Sequence, residues 1–177
     1  MIVHGHRRAR GCSDRQRGKE GSIWGNRNKT LRSQEIIQKV THSAEETIAL
    51  GRELARQVTP PCLILLEGEL GAGKTTLAKG IVAGLGAASE EDVTSPTFTL
   101  VHEYGDPVKV CHADLYRIEG ARELSSLGIE EMLAQPVTVI VEWGEKFEEE
   151  FPAAGFRVRL EHLRDDERRI RVEAISP

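Results

Sequence analysis

A glycine-rich stretch constrains the fold of this chain more than any other part of its sequence. Residues 68–75 read Gly-Glu-Leu-Gly-Ala-Gly-Lys-Thr and satisfy the pattern G-x-x-x-x-G-K-[ST] of phosphate-binding loops. In such a loop the glycines let successive backbone N–H groups point at phosphate oxygens, and the following helix adds the positive end of its dipole. The motif therefore predicts a strand–loop–helix unit within an α/β fold.

The sequence on both sides of the loop has the features that this unit needs. Residues 62–66 form a short apolar run between prolines and the first glycine of the loop, which is typical of a strand buried on both faces. Residues 75–85 are predicted to form a helix that ends at Gly86. A glycine-rich surface turn would lack this context. We therefore interpret the motif as a nucleotide-binding P-loop, in which the Lys74 ammonium binds phosphate oxygens and the Thr75 hydroxyl coordinates Mg²⁺.

Two carboxylates follow apolar segments and are candidates for the acid that holds Mg²⁺. Glu142 follows the run at residues 137–141, and Asp114 follows residues 108–113. The first run is the more apolar, which favours a strand beside the P-loop strand and makes Glu142 the preferred metal-side acid. Asp114 is then free to orient or deprotonate an attacking water. A solvated strand end is the open alternative for either acid.

Residues 94–99 form a hydroxyl-rich loop, Thr-Ser-Pro-Thr-Phe-Thr, ahead of a predicted strand. Such a loop can become ordered when a γ-phosphate and Mg²⁺ are present and relax after hydrolysis. Thr97 is the hydroxyl that we expect to respond. An ordinary Ser-Pro turn is the alternative at this point.

The other segments complete one predicted domain over residues 39–177. Ser43 and Glu46 form a capping box, which predicts the start of a helix that ends before a pair of prolines. The remaining predicted elements are a hairpin of residues 98–104 and 108–114, a helix over 121–134 that is interrupted at Gly128, a buried strand over 137–141, and alternating strands beginning near 156 and 170. Together they predict an α/β, P-loop NTPase-like three-layer fold with a central, mostly parallel sheet and added antiparallel strands.

Charge is distributed unevenly along the chain. Residues 1–34 hold nine Lys or Arg against two acids, a net charge of +7, whereas the remaining residues carry −11. Residues 1–38 lack apolar periodicity and are predicted to form a basic, disordered extension. An RNA-binding arm is the alternative, because clustered cations displace counterions from a phosphate backbone. Trp24 is the only aromatic residue there that could stack on a base.

Apolar runs and cysteines point to the compartment. The longest aliphatic runs have about five residues, far short of the roughly 20 that a membrane-spanning helix needs, and the basic beginning is not followed by the apolar stretch of a secretory signal. Cys12, Cys62 and Cys111 form no C-x-x-C pair. We therefore expect a cytoplasmic protein with reduced thiols, without structural zinc and without a membrane partner.

Four motifs follow one another in the order of a known family. They are residues 68–76 (GELGAGKTT), 95–100 (SPTFTL), 112–117 (HADLYR) and 141–143 (VEW). Together they resemble the TsaE family, also called YjeE, the bacterial P-loop ATPases of tRNA threonylcarbamoyladenosine biosynthesis. The first motif is generic, whereas the other three are specific to this family. The resemblance covers about residues 41–175 and leaves the basic extension outside.

The resemblance implies ATP and Mg²⁺ as cofactors and slow ATP hydrolysis coupled to a complex of TsaD and TsaB. That complex transfers a threonylcarbamoyl group to tRNA, so contact with tRNA would be indirect. Carried over from the motifs, catalytic roles fall to Lys74, Thr97 and Asp114, and magnesium-side roles to Thr75 and Glu142. The implied nucleotide contacts are Glu69, Leu70, Gly71, Ala72, Gly73, Lys74, Thr75, Thr76 and Trp143, with Ser43 from the start of the first helix. For Trp143, partial burial in the core is the alternative.

Two other functions remain open on the sequence. A small-molecule or nucleotide kinase would use the same loop, but a kinase usually needs an arginine-bearing lid that shields the phosphoryl group from water. The only arginines among residues 86–136 are Arg117 and Arg122. This small number favours hydrolysis over phosphoryl transfer to an acceptor. The third possibility is a nucleotide-binding interaction module without turnover, in which the P-loop acts as a conformational latch.

Overall fold

Seven strands and four α-helices make up the part of the chain that the computed structural model describes, residues 32–151 and 155–176. The strands are β1 (Arg32–Thr41), β2 (Cys62–Glu67), β3 (Val101–Tyr104), β4 (Val110–Asp114), β5 (Thr138–Glu142), β6 (Gly155–Arg164) and β7 (Glu167–Ser176). The helices are α1 (Ala44–Ala55), α2 (Lys74–Gly84), α3 (Ala121–Ser126) and α4 (Ile129–Leu133), with a 3-10 helix at Gly144–Glu150. Within these residues no helix has both the length and the apolar character needed to cross a bilayer.

The strands form one mixed sheet in the order β1-β7-β6-β2-β5-β4-β3. Its centre is parallel, since β2 pairs in parallel with both β6 and β5, and β5 pairs in parallel with β4. Antiparallel strands extend the sheet on both sides. On one side β7 pairs with β6 and β1 pairs with β7, and on the other side β3 pairs with β4. The predicted α/β fold, with a mostly parallel centre and added antiparallel strands, is confirmed.

The P-loop strand β2 is buried on both faces because helices cover both sides of the sheet. Ile64 and Leu66 pack into a core shared with α1 and α2. The alternate side chains, Leu63 and Leu65, pack into a second core shared with α3 and α4. None of the four exposes more than 4% of its surface. The three-layer arrangement follows from this alternation, because successive side chains of a strand point to opposite faces.

The start of α1 has the predicted Ser43 cap, with the Glu46 carboxylate bonded one residue earlier than in the standard capping box. The Ser43 hydroxyl accepts a hydrogen bond from the Glu46 amide at 3.2 Å, and the His42 amide donates to the Glu46 carboxylate at 2.8 Å. The first bond satisfies one of the N–H groups that a helix beginning would otherwise leave without a partner, and the second reaches the amide of His42, one residue before the cap. The sequence pattern therefore locates the first helix correctly.

Helices α1 and α2 touch through glycines. A Cβ added to Gly80 of α2 would lie 2.0 Å from the carbonyl oxygen of Ile48, and one added to Gly51 of α1 would lie 2.4 Å from the carbonyl oxygen of Leu77. The two backbones thus lie closer than any larger residue permits. Because α2 begins directly after the P-loop, this contact also fixes the helix on which the loop depends.

The prediction for the beginning of the chain is wrong in part. Strand β1 begins at Arg32, inside the segment 1–38 for which the sequence predicts disorder. Its backbone pairs with β7 near the far end of the chain, and Ile36 and Ile37 pack against the core. Local composition gives no sign of this long-range pairing. The predicted boundary at residue 38 therefore lies within a strand, and residues 1–31 lie outside the described residues.

The predicted hairpin is confirmed, with both strands starting later than predicted, since β4 begins at Val110 rather than at residue 108. Strand β3 begins at Val101 rather than at residue 98, because Leu100 has a φ of 67° and its amide bonds to the Pro96 carbonyl oxygen. The turn leaves Phe98 with 87% of its surface exposed. The interruption expected at Gly128, where φ is 69°, separates α3 from α4 as predicted.

We expect Gly80→Ala to destabilise the protein, because its Cβ would press on the backbone of α1 at Ile48. Overpacking of this kind costs about 1–3 kcal/mol and opposes the roughly 1 kcal/mol that alanine contributes to helix propensity. Urea unfolding followed by circular dichroism measures the difference. Gly120→Ala is the matched control, since a Cβ there has no neighbour within 4 Å. A Gly80→Ala protein more stable than wild type would contradict the close contact.

Candidate functional site

The P-loop joins β2 to α2 in a backbone conformation that needs glycine. Gly68 has a φ of 144°, and a Cβ there would lie 2.3 Å from the carbonyl oxygen of Leu160. Gly73, the residue that precedes α2, has a left-handed φ of 99°. Both conformations are strained for any residue with a side chain. The glycines therefore let the loop turn tightly from the end of the strand into the first turn of the helix.

Lys74 is folded back into the loop rather than extended into solvent. Its Nζ donates to the carbonyl oxygens of Gly68 at 2.6 Å and Glu69 at 3.0 Å, and it lies 3.7 Å from the centroid of the Trp143 ring. Only 5% of the residue is exposed. Burial lowers the pKa of Lys74, and the negative charges of Glu142, Glu145 and Asp114 oppose that shift.

Glu142 lies next to the P-loop, as its apolar strand predicts. Strand β5 pairs with β2, and the Thr75 hydroxyl donates to Oε1 of Glu142 at 2.8 Å. The same carboxylate oxygen lies 3.0 Å from Nε2 of His112, and both the histidine and the glutamate are buried. His112, the first residue of the motif at residues 112–117, thus helps to orient the carboxylate.

Asp114 ends β4 directly beside Glu142 in the strand register. Its Oδ2 accepts hydrogen bonds from the Thr97 hydroxyl at 2.5 Å and the Ser95 hydroxyl at 3.1 Å, and its Oδ1 accepts from the Tyr116 amide at 2.9 Å. The hydroxyl-rich loop is therefore attached to the acid. The structure brings Thr97 and Asp114 together, although no short-range pattern in the sequence links them.

Trp143 lies between the core and the cleft, and the nucleotide contact implied for it stays a prediction. It packs partly against the core that contains α3 and α4, and its ring also contacts the ammonium of Lys74. The Tyr116 ring lies 5.1 Å away between centroids. The backbone of Trp143 has a φ of 62°, which turns the chain sharply after β5. The indole thus forms one wall of the site while remaining part of the fold.

These side chains line one open cleft of about 390 Å³, within the 300–1,000 Å³ typical of small-molecule sites. It contains all three predicted catalytic residues and both predicted magnesium-side residues. The lining residues are Leu70, Gly71, Gly73, Lys74, Thr75, Thr76, Ser95, Thr97, Asp114, Tyr116, Glu142, Trp143 and Arg168. The described ranges contain no cluster of three His, Cys, Asp or Glu side chains arranged to hold a metal ion unaided.

Three of the predicted nucleotide contacts lie outside this lining. Ser43 caps α1, and its hydroxyl is bonded to the Glu46 amide. The Ala72 side chain is buried in the core, and Glu69 accepts the Lys74 hydrogen bond through its backbone carbonyl. The roles implied for these residues stay predictions. For Glu69 and Ala72, the backbone is the part that a P-loop would offer to phosphate.

Arg168 and Tyr116 complete the cleft without having been assigned to it by sequence. Arg168 stands near the start of β7, far along the chain from the P-loop, and its backbone pairs with Thr41 of β1. No spacing rule connects it to the loop motif. Tyr116 belongs to the motif at residues 112–117, which leaves its role open. An arginine in an alternating strand gives no local signal of a binding role.

A glycine loop between a buried parallel strand and a helix, with a lysine inside it and acids at the ends of neighbouring strands, defines the class of P-loop proteins. Comparison with known families narrows the class. The family model described as "Threonylcarbamoyl adenosine biosynthesis protein TsaE" matches residues 41–170. The chain belongs to the TsaE family, whose proteins are involved in tRNA threonylcarbamoyladenosine biosynthesis. The resemblance drawn from the four motifs is confirmed.

Curated relatives match most of the chain. The tRNA threonylcarbamoyladenosine biosynthesis protein TsaE of Bacillus subtilis is 39% identical over 137 residues, which are 77% of this chain and 84% of the relative. The TsaE protein of Treponema pallidum is 34% identical over 133 residues, 75% of this chain and 97% of the relative. The crystal structure of Bacillus subtilis YdiB is similar to this structure, with a TM-score of 0.64 and 31% sequence identity. The matched region covers 84% of this chain and 90% of the YdiB chain.

We expect Lys74→Met to leave the ligand-free protein at least as stable as wild type, because it removes a charge that burial disfavours. The lowered pKa of Lys74 means that the unfolded chain holds this proton more tightly than the folded protein does. The free energy of unfolding of wild type should therefore rise relative to Lys74→Met as the pH approaches 10.5, the ordinary value for lysine.

Denaturant unfolding of both proteins between about pH 7 and pH 10 measures this dependence. Lys79→Met, on the same helix but outside the cleft lining, controls for the loss of a lysine. If Lys74→Met is the less stable protein across the whole pH range, the hydrogen bonds of the ammonium outweigh its desolvation, and the expectation is wrong.

Proposed function

We propose that this protein is the ATP-hydrolysing accessory component of the complex that forms threonylcarbamoyladenosine next to the anticodon of tRNA. In this proposal it acts with TsaB and TsaD and does not itself transfer the threonylcarbamoyl group. The carrying observation is the convergence of Lys74, Asp114 and Glu142 on one cleft at the ends of three neighbouring strands. Family membership supports the pathway, and the cleft supports the chemistry.

ATP and Mg²⁺ are the proposed cofactors, and the groups that line the cleft fit both. The Lys74 ammonium is bonded to neutral carbonyl oxygens, so a phosphate oxygen would be a stronger partner for it. The Thr75 hydroxyl and the Glu142 carboxylate supply hard oxygen ligands 2.8 Å apart. Mg²⁺ typically combines one or two such ligands with phosphate oxygens and water, and it would supply neutralisation of phosphate charge.

The side chains of the cleft divide the work of hydrolysis in this proposal. Lys74 neutralises charge on the phosphates, as a P-loop lysine does. Asp114 accepts three hydrogen bonds from the protein. Because a carboxylate has about four acceptor sites, roughly one is left to hold and orient the attacking water. Its exposure of 2% keeps bulk solvent away from that site.

The loop at residues 94–99 links the acid to an exposed apolar rim. Phe98, next to Thr97, is 87% exposed, and Leu70 and Tyr116 at the edge of the cleft are 81% and 48% exposed. Large apolar side chains left exposed beside a functional cleft are a feature of protein interaction surfaces. We propose that the TsaB–TsaD complex binds this rim, so that nucleotide state and partner contact influence each other through the Thr97–Asp114 hydrogen bond.

Contact with tRNA is proposed to be indirect, through the partner complex. The chain after residue 34 carries a net charge of −11, which repels a phosphate backbone.

The proposed location is the cytoplasm. Cys62 and Cys111 are buried free thiols, and burial raises the pKa of each to about 11. Buried, protonated thiols are inert, and free cysteines are usual in a reducing compartment.

Hydrolysis is favoured over kinase activity by the positions of the two arginines in residues 86–136, the segment that could supply a lid. Arg117 lies over the exposed ring of Phe98 at 5.6 Å, and Arg122 is exposed on α3. Neither lines the cleft, so neither forms the arginine-bearing lid that a kinase would use to exclude water. Product analysis distinguishes the two activities, since an ATPase releases free phosphate without an acceptor.

We expect Lys74→Ala and Asp114→Ala each to lower ATP hydrolysis in the presence of TsaB and TsaD by at least about a hundredfold, because each removes a group that acts on the reacting phosphate or water. Phosphate release measures the rate. In a reconstituted threonylcarbamoylation reaction, leaving out the protein or supplying either variant should stop multiple turnover.

Asp106→Asn is the matched control, because Asp106 is exposed in the β3–β4 turn and lies outside the cleft. It should support hydrolysis and modification at the wild-type rate. Full activity of folded Asp114→Ala would remove the proposed role of that acid. Unchanged modification when the whole protein is omitted would refute the accessory function itself.

Phe98→Ser should weaken binding to the TsaB–TsaD complex by about tenfold or more, as expected for an aromatic side chain at the centre of an interface. ATP binding by the isolated protein should stay within about twofold of wild type, because the Phe98 ring is outside the cleft lining. Surface plasmon resonance and nucleotide titration measure the two affinities. Val108→Ser, at an exposed apolar position on the β3–β4 turn, is the control, and equal partner affinity of both variants would place the interface elsewhere.

A further inference from the structure

Arg168 is a cation of the cleft that the P-loop motif does not include. It follows the tight turn at Asp165 and Asp166 that joins β6 to β7, where Asp165 has a φ of 46°. The residue lines the same cleft as Lys74 and Thr76. Its position therefore depends on the antiparallel β6–β7 extension of the sheet rather than on the P-loop unit.

The guanidinium of Arg168 is only partly used by the protein. One terminal nitrogen donates to the Asp166 carbonyl oxygen at 2.7 Å, while Nε is buried and has no hydrogen-bond partner among the described residues. A buried N–H group without a partner costs free energy that a ligand oxygen would recover.

The other arginines of β6 and β7 show the contrast. Four of them form ion pairs with glutamates, namely Arg157, Arg159, Arg164 and Arg169. Arg171 is exposed. Within the described strands Arg168 is thus the arginine that is partly buried and forms no ion pair with a carboxylate. The residue lines the cleft and has no protein anion as a partner among the described residues.

Close contact with the P-loop holds this side chain in place. A Cβ built on Gly73 would lie 2.9 Å from Nε and 3.0 Å from Cδ of Arg168. The stem of the arginine therefore lies on the backbone of the loop, where α2 begins. The N–H groups at a helix beginning attract anions, and a guanidinium beside them adds two or more donors in a fixed plane that matches phosphate.

We propose that Arg168 binds a phosphate group of the nucleotide held by the P-loop, as a second cation beside Lys74. The inference rests on the proposed ATP site and extends it to a residue outside the P-loop motif. The cleft needs such a charge, because Asp114 and Glu142 offset the single charge of Lys74 before any phosphate is bound. Arg168 contributes to affinity and holds the nucleotide, while Lys74 and Asp114 act on the reaction.

Arg168→Met tests the proposal, because methionine keeps an apolar stem against Gly73 and removes the guanidinium. Isothermal titration with ATP, ADP and adenosine, all at one salt concentration, should show a loss of about tenfold or more in affinity for ATP and ADP. Adenosine, which carries no phosphate, should bind wild type and variant within twofold of each other. Arg168→Lys should recover part of the ATP affinity, since it restores the charge without the planar donors.

Arg171→Met is the matched control on the same strand and should bind ATP within twofold of wild type. Thermal unfolding without nucleotide should give Arg168→Met and wild type melting temperatures within about 3 °C of each other, which separates lost phosphate contact from a damaged loop. If wild type binds ATP and Arg168→Met binds it equally well, the role of Arg168 is refuted while the ATP site stands. If wild type itself binds no ATP, the proposed function fails first.

Discussion

The parallel pairing of β2 with β5, and of β5 with β4, is the constraint on which the whole site depends. Parallel strands end at the same edge of a sheet, so the P-loop, Glu142 and Asp114 meet there although they are far apart in the sequence. Open α/β sheets bind their ligands at this edge. The antiparallel strands on either side widen the sheet and bring Arg168 to the same cleft.

Electrostatics gives this edge its chemical character. Lys74 is held inside the loop by neutral carbonyl oxygens and an indole ring, while burial lowers its pKa. The Lys74 ammonium would interact more strongly with a bound phosphate than with the carbonyl oxygens of the ligand-free protein, because a phosphate would provide the full countercharge that the carbonyl oxygens lack. Phe98 remains exposed next to Thr97, whose hydroxyl donates to Asp114, so under the proposed function a partner bound at Phe98 would lie beside the acid that orients water.

Several parts of the fold and site follow from short sequence patterns. The P-loop, the capping box at Ser43 and the interruption at Gly128 each depend on residues within a few positions of one another. Glu142 was also within reach of sequence reasoning, because an apolar run before an acid predicts a buried strand that ends at the sheet edge. In each case the physical cause is local, either a backbone conformation or the alternation of a strand.

Patterns within the sequence therefore predict the P-loop unit, the mostly parallel α/β fold and the family. Three features become visible only in the folded protein: β1 begins at Arg32, His112 and Thr75 share one oxygen of Glu142, and Arg168 lies against Gly73. The physical reason is the same for all three. Strand pairing and side-chain contacts across the sheet join residues that share no spacing along the chain, so these neighbours exist only once the sheet has formed.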